Sequence, residues 1–392
     1  MSSPTQADPA VMIYRRSFLP FSETFVRDHI RLLRRWRPVP VYTQLVEQGP
    51  DFADLDPLAL HGGPENRFSR LRIYDWGWAP RLGKQLRARG VRLIHAQFLY
   101  EGAAIARFAA RQRLPLVVTA FGYDATMYPE YQARFGDGAV LLRHQRFLQR
   151  YASAFICISE FIRQELIGRG YPPEKLVLNP LGLALEDFEP GGAAGQRRGV
   201  LYGGRLVEKK GVERLLRAWA LLPDDLRREP LTIIGGGPLF DPLQRLAGEL
   251  GLEAKFLGRQ PREVMLEAMR SHRVFAFPSV RARNGDAEGL GVVALEAQAV
   301  GTPVAAFDEM TAREVLSPGH LPLLARPGDT EHYAAQLATL LRDDAIASRL
   351  GAEGPSWVAE HFDLHRLMAA REAIYDQVAA QTSPAPSPSG RG

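Results

Sequence analysis

The chain has 392 residues, 46% of them apolar and 24% charged, which is the length of two ordinary domains and the balance of a soluble globular protein. No apolar run is long enough to cross a bilayer, and Val11 to Tyr14 is too short for the h-region of a signal peptide and runs into Arg15 and Arg16, so a cytoplasmic location is expected. Cys157 is the only cysteine, which excludes an intrachain disulfide and a cysteine-rich metal site and leaves it a small core residue, while a net charge of +5 carried mostly by arginine suits an anionic partner.

Short apolar strands alternate with helical stretches along almost the whole chain, which predicts an α/β fold with parallel sheets in two Rossmann-like domains. The first strand is Pro9 to Tyr14. A basic amphipathic helix follows in VRDHIRLLRRWRP, where Arg27, Arg31, Arg34 and Arg35 share one side and Val26, Ile30 and Leu33 form a separate stripe. Such a face suits either an anionic membrane or plain solvent over a core. Nucleic acid is not an expected partner, because no zinc-finger, aromatic RNA-binding or helix-turn-helix signature accompanies the charge. Further strands are predicted at 38–43, 91–97, 115–121, 153–159 and 175–181. Asp54-Leu55-Asp56 lies in a polar, Pro-flanked segment with no buried strand before it and reads as a loop, not a metal site. His95 falls near the end of the 91–97 strand, where it either lines a cleft or is a buried structural histidine.

The first domain is expected to cover residues 1–185, followed by a turn-rich, aperiodic linker over 186–198. Strands at 199–204, 231–237, 254–258, 274–279, 302–307 and 321–325 build a second domain over 199–365. A last helix at 366–381 precedes a Ser/Pro-rich tail, 382–392, expected to be disordered. Ligands of such sheets bind at the carboxyl ends of the strands, so the cleft between two facing domains is the expected site.

Three stretches of the second domain carry chemistry. The strand at 199–204 ends in a Gly203-Gly204 turn followed by Arg205 and Lys210, a planar fork and a mobile point charge that suit a diphosphate. GGGP follows at Gly235 to Pro238. GDAEGLGVVALEAQAVGTPVAA, from Gly285, places Glu288 in a strand-to-helix loop and Glu296 in the first turns of the next helix. Gly289 and Gly291 would let a bulky ligand approach the backbone, and either carboxylate can accept two hydrogen bonds from a vicinal diol. Taken singly, the same charges read as solvated loop residues and helix-terminus preferences.

GGRLVEKKG, IIGGGPL, FLG, PSV and EGLGVVALEAQAVGTPV, in this order and spacing, resemble the retaining glycosyltransferases of family 4, with the GT-B fold. FSETFVRDHI and IHAQFLYEGAAIARFA look like the exopolysaccharide and lipopolysaccharide branch, and VVTAFGYDATM is similar to the family's HGYD-type segment. The resemblance implies transfer of a sugar from a nucleotide diphosphate sugar, as co-substrate, to a hydroxyl of a glycan or lipid-linked acceptor. Retention of configuration by front-side attack is implied, with no metal and no further cofactor. It implies that Arg205 and Lys210 hold the diphosphate beside Gly204, that the Leu290-Gly291 backbone faces the phosphates, that Glu296 binds ribose, and that Glu288 lies near the transferred sugar. Arg205, Lys210 and Glu288 are the implied catalytic residues; Gly122, Asp124 and His95 are expected on the acceptor side. The enzyme is expected to be peripheral to the inner face of the membrane.

The chain departs from the family pattern at Phe121, where many relatives carry histidine, at Ala184 in place of a common Asp, and at Met310-Thr311 in place of Gly-Gly. A dinucleotide-dependent oxidoreductase is the less suited reading, because Phe240 occupies the third glycine of G-x-G-x-x-G and the motif follows the second strand of its domain. A catalytically weak binding or partner subunit of the same fold is the other alternative, favoured by Phe121 and opposed by the intact charged set.

Overall fold

The computed structural model of the chain describes residues 8–18, 24–45, 56–61, 66–191 and 196–382. Asp54 and Leu55, the start of FSETFVRDHI, the middle of the 186–198 segment and the tail from 383 lie outside the described residues. Two compact units are present: residues 1–158, 162–179 and 365–392 in one, and residues 159–161 and 180–364 in the other. The division at 179/180 precedes the turn-rich 186–198 segment, and the last helix belongs to the first unit.

The first unit holds a parallel sheet of β1 (Ala10–Phe18), β2 (Arg37–Leu45), β3 (Leu58–Ala59), β4 (Val91–Gln97), β5 (Leu116–Ala120), β6 (Ala154–Cys157) and β7 (Leu176–Leu178), in the order β3-β2-β1-β4-β5-β6-β7. Its central strands are buried on both faces, as the continuous apolar runs dictate: all five residues of β5 are inside. Cys157 is fully buried, as a small core residue should be. The two-residue β3 was not legible, being too short to show a period.

The helix Thr24–Leu32 buries Val26 and Ile30, and Leu33 just beyond it, so the apolar stripe is where the pattern put it. Its basic side is shorter than expected. Arg34 and Arg35 lie past the helix, their amides donate to Glu372 Oε1 at 2.8 and 2.7 Å, and the Arg35 guanidinium sits 2.5 Å from Asp376. Glu372 and Asp376 come from the final helix, Leu364–Thr382, which also inserts Tyr375 into the first unit's core.

Tyr375 joins two buried histidines. Gln97 Nε2 donates to His29 Nδ1 (3.0 Å), which leaves His29 Nε2–H to donate to the Tyr375 oxygen (2.6 Å). The phenol then donates to His95 Nδ1 (2.5 Å), and His95 Nε2–H reaches Thr119 Oγ1 (2.7 Å). This chain is satisfied only with both imidazoles neutral. Burial, and after it the Arg371 guanidinium, holds both well below the ordinary histidine value of 6.5.

Acid should therefore destabilise this unit through these two imidazoles. Below pH 6.5 the unfolded chain takes up two protons that the folded one refuses, so stability present above that value is lost as pH falls. The slope approaches about 2.7 kcal/mol per pH unit once both unfolded imidazoles are charged. Urea unfolding between about pH 7.5 and 5 measures it; a flat midpoint would remove the histidine pair as the cause.

The second unit holds β8 (Arg198–Gly203), β9 (Leu231–Ile234), β10 (Ala254–Gly258), β11 (His272–Phe277) and β12 (Val304–Ala306), all parallel, in the order β10-β9-β8-β11-β12. Trp219, Phe307 and Tyr333 fill its core. The expected strand at 321–325 is not formed: Pro318–Leu323 is a 3-10 helix, and only a single bridge joins Ala325 to Phe307. Pro318 and Pro322 lack the amide protons a ladder needs.

Candidate active site

Strand order reverses between β8 and β11, the switch point where loops from neighbouring strands part and leave a crevice. The charged residues singled out in the second unit come from these two loops. After β8 the chain passes Gly204 and the exposed Arg205 and makes a short 3-10 turn, Glu208–Lys210, before the helix Val212–Ala220. After β11 it runs through Pro278 to Glu288 and enters the helix Val292–Ala299.

Lys210 Nζ lies 2.5 Å from Glu288, both side chains being mostly buried, at 13% and 14% exposed. Burial pushes the Glu288 carboxyl upward, but Lys210, then Lys209, and finally Arg205 outweigh it and set the group below its ordinary value. The structure thus brings Arg205, Lys210 and Glu288 to one locus. Lys209, which sequence reasoning passed over, is the fixed partner of the doublet: its ammonium donates to Asp286 Oδ1 (2.9 Å) and to the Ala287 carbonyl (3.2 Å), while its carbonyl accepts from Val280 (2.8 Å). It clamps the Glu288 loop to the β8 loop. The lysine doublet of EKKG, of which it is the first, was its only sign in the sequence.

Glycines of these loops are engaged in packing, among them Gly291, read from the sequence as clearance for a ligand. A Cβ on Gly235, at φ +147°, would come within 1.8 Å of the Gly204 carbonyl oxygen, so GGGP interlocks with the β8 loop. The Gly204 amide donates to Ile234 (2.9 Å) and the Leu206 amide to Gly236 (2.9 Å). Gly291 caps the helix Val292–Ala299 in the left-handed conformation, φ +84°, and a Cβ there would strike the Phe277 ring at 2.6 Å. The carbonyls of Gly289 and Leu290 are held by Ser159 Oγ (2.6 Å) and Thr311 Oγ1 (3.0 Å), which fixes the loop that opens the helix. Thr311, at one of the positions that depart from the family pattern, is therefore a tether of this loop.

Glu296 is in the second turn of that helix, one turn deeper than the capping positions. Burial raises its carboxyl above the ordinary value, and Arg262, 4.0 Å away, offsets this only in part. Arg262 is in turn held by Asp187 at 2.8 Å. Neither Arg262 nor Asp187 was marked by any motif.

The first-unit candidates are arranged differently. His95 is fully buried with both ring nitrogens engaged, so it lines no cleft and presents nothing to an acceptor. Asp124 is 1% exposed and accepts from the amides of Leu99 (2.9 Å), Phe121 (3.2 Å) and Gly122 (2.8 Å). Burial raises its carboxyl, and those three amides pull it back. Asp124 and Gly122 thus shape the turn after β5 from within. Phe121 packs on Phe98, ring centroids 4.5 Å apart, and Phe98 holds an uncommon φ of +74° beneath the Arg15 guanidinium. Tyr100 and Tyr123 complete this aromatic group.

The model of the family described as Glycosyltransferase Family 4 matches residues 15–187, and that of Glycosyl transferases group 1 matches residues 185–357. The chain is 31% identical, over 52% of its own length and 57% of the other, to a GDP-mannose-dependent alpha-(1-6)-phosphatidylinositol monomannoside mannosyltransferase of Mycolicibacterium smegmatis. It is 32% identical, over 53% and 52%, to the amylovoran biosynthesis glycosyltransferase AmsK of Erwinia amylovora. It thus spans just over half the length of these relatives. Among solved structures it matches Anabaena HepE in complex with UDP and glucose at a TM-score of 0.73 and 21% identity, covering 94% of this chain and 100% of the other.

Proposed function

We propose that this chain, which belongs to the family 4 glycosyltransferases of the GT-B fold, moves a sugar from a nucleotide diphosphate sugar to a hydroxyl of a glycan or lipid-linked acceptor, with retention and without a metal. The observation that carries the reading is the Lys210–Glu288 pair beside the exposed Arg205 at the switch point of the second sheet. Arg205 offers its fork to the diphosphate, and Lys210, paired with Glu288, re-pairs with a phosphate oxygen as the leaving group gains charge. The amide end of the helix Val292–Ala299 adds its positive pole. Glu288, kept ionised by its three cations, is left to accept from hydroxyls of the transferred sugar, and Glu296 accepts from the ribose diol.

The mannosyltransferase relative is named for GDP-mannose and the solved neighbour is in complex with UDP, so the sugar donor is to be found by measurement. Thermal shift with GDP-mannose and UDP-glucose should raise the unfolding midpoint with one of them, and the shift and turnover should survive EDTA. A shift with NAD(H) alone, or activity restored only by added magnesium or manganese, would count against this assignment. The packing of Phe121 against Phe98 favours a second reading, a partner subunit with little turnover. Slow hydrolysis of the sugar donor without acceptor separates the two, since a bare binding subunit would show none.

A further inference from the structure

Two tryptophans of the first unit stand in solvent where a folded protein would ordinarily cover them. Trp76 is 58% and Trp78 44% exposed, with Phe68 at 66% and Leu71 at 36%. Phe68, Trp76 and Trp78, together with Arg72 and Arg111, line one open depression of about 370 Å³. The Arg72 guanidinium lies over the Trp78 ring, 5.3 Å from its centroid. An apolar patch of this kind, rimmed by charge of one sign, marks an interaction surface.

The charge around it identifies the partner. Residues 66–113 hold eleven Lys and Arg against two acidic residues, Asp75 and Glu101, so this span carries +9 of a chain whose total is +5, and the remainder is net −4. Both acids are matched internally, Asp75 by Arg143 at 2.9 Å and Glu101 by the buried Arg15. Two residues after Trp78 begins the helix Pro80–Ala88, which buries Leu82 and Leu86 and exposes Arg81, Lys84 and Arg87. Indole rings at the level of lipid headgroups, a phenyl and an aliphatic side chain beside them, and arginine and lysine for anionic headgroups are the composition of an interfacial anchor. The aliphatic Leu71 and the open shape fit the acyl-chain boundary better than the stacked bases of a nucleic acid.

We propose that the surface centred on Trp76 and Trp78 is where this protein docks on an anionic lipid bilayer, in place of the shorter arginine side of Thr24–Leu32. The inference deepens the reading of a lipid-linked acceptor and is tested without any substrate. Flotation with phosphatidylcholine vesicles, with and without phosphatidylglycerol, should carry the wild type upward only with the anionic lipid. Trp76→Ser with Trp78→Ser should lower the bound fraction about tenfold, and Arg72→Gln with Arg111→Gln likewise, while Arg27→Gln with Arg31→Gln retains it. Brominated phospholipid should quench the wild-type fluorescence through these two indoles and not in the double tryptophan variant, because Trp36 and Trp219 are buried and the half-buried Trp357 is stacked on His361 in the second unit. The exposed positions tolerate the substitutions, and an unchanged unfolding midpoint and unchanged nucleotide-sugar binding verify it, which keeps a failure here distinct from a failure of the transferase reading. The proposal is overturned if the wild type does not float, if neutral vesicles bind equally, or if the tryptophan variant floats as well as the wild type. It is also overturned if the patch binds an oligonucleotide or a second copy of the chain instead of vesicles.

Discussion

Arg205→Ala is expected to lower kcat/KM for the sugar donor by roughly 30- to 1,000-fold, about 2–4 kcal/mol of transition-state stabilisation, with the unfolding midpoint unmoved. The side chain is exposed, so its loss opens no cavity. Lys210→Ala should match that kinetic loss but not the stability, because it leaves the mostly buried Glu288 with Lys209 and Arg205 alone. Lys210→Ala combined with Glu288→Gln should recover stability without recovering activity. Steady-state kinetics and urea unfolding on the three variants distinguish the roles, and donor kinetics that stay at the wild-type level in all of them would remove this locus from the active site.

Gly235→Ala is expected to be the most damaging single methyl in the second unit. The new Cβ would lie 1.8 Å from the Gly204 carbonyl, a backbone atom that can yield only by moving the loop that carries Arg205. With the unfavourable φ of +147° added, about 3 kcal/mol or more of stability should be lost, and sugar-donor binding with it. Gly248→Ala is the control: it lies in the helix Phe240–Glu249 with nothing within 4 Å of the added carbon, and should stabilise by about 0.5–1 kcal/mol. Equal stability of the two variants would show that GGGP does not lock the loops together.

These two sites show how far the sequence could be read. Short apolar runs located every strand of four or more residues among the described ones, because a buried parallel strand leaves a continuous hydrophobic signature, with the half-buried edge strand β10 lacking that burial. The charged pair was legible for the same reason of composition, since lysine, arginine and glutamate beside glycine turns have few roles in a core. What a glycine gives room for was not legible. Gly291 reads as space for a ligand, and the structure fills that space with the Phe277 ring, just as the Gly204 carbonyl fills the space beside Gly235. Burial at a strand end was equally hidden: His95 and Asp124 carry ligand-like side chains, yet their partners come from residues 24 to 280 positions away in the first case and from backbone amides 2 to 25 positions away in the second. Long-range pairs of that sort leave no local pattern. The helix Leu364–Thr382 was legible as a helix and not as the property of the first unit, for the same cause.

That helix sets an order of events during synthesis. A ribosome delivers β1 to β7 early, but His95 of β4, His29 of the helix Thr24–Leu32 and Trp36 just before β2 have partners, Tyr375 and Asp376, that are made only after the whole second unit. The second-made unit, continuous from Pro180 to Leu364 apart from three residues already released, can close first. The early residues of the first unit wait through the synthesis of the whole second unit with an indole and two imidazoles lacking their Asp376 and Tyr375 partners. A stop codon inside this helix, or any change that delays its docking, would therefore be felt at residues far upstream, as aggregation of the first unit.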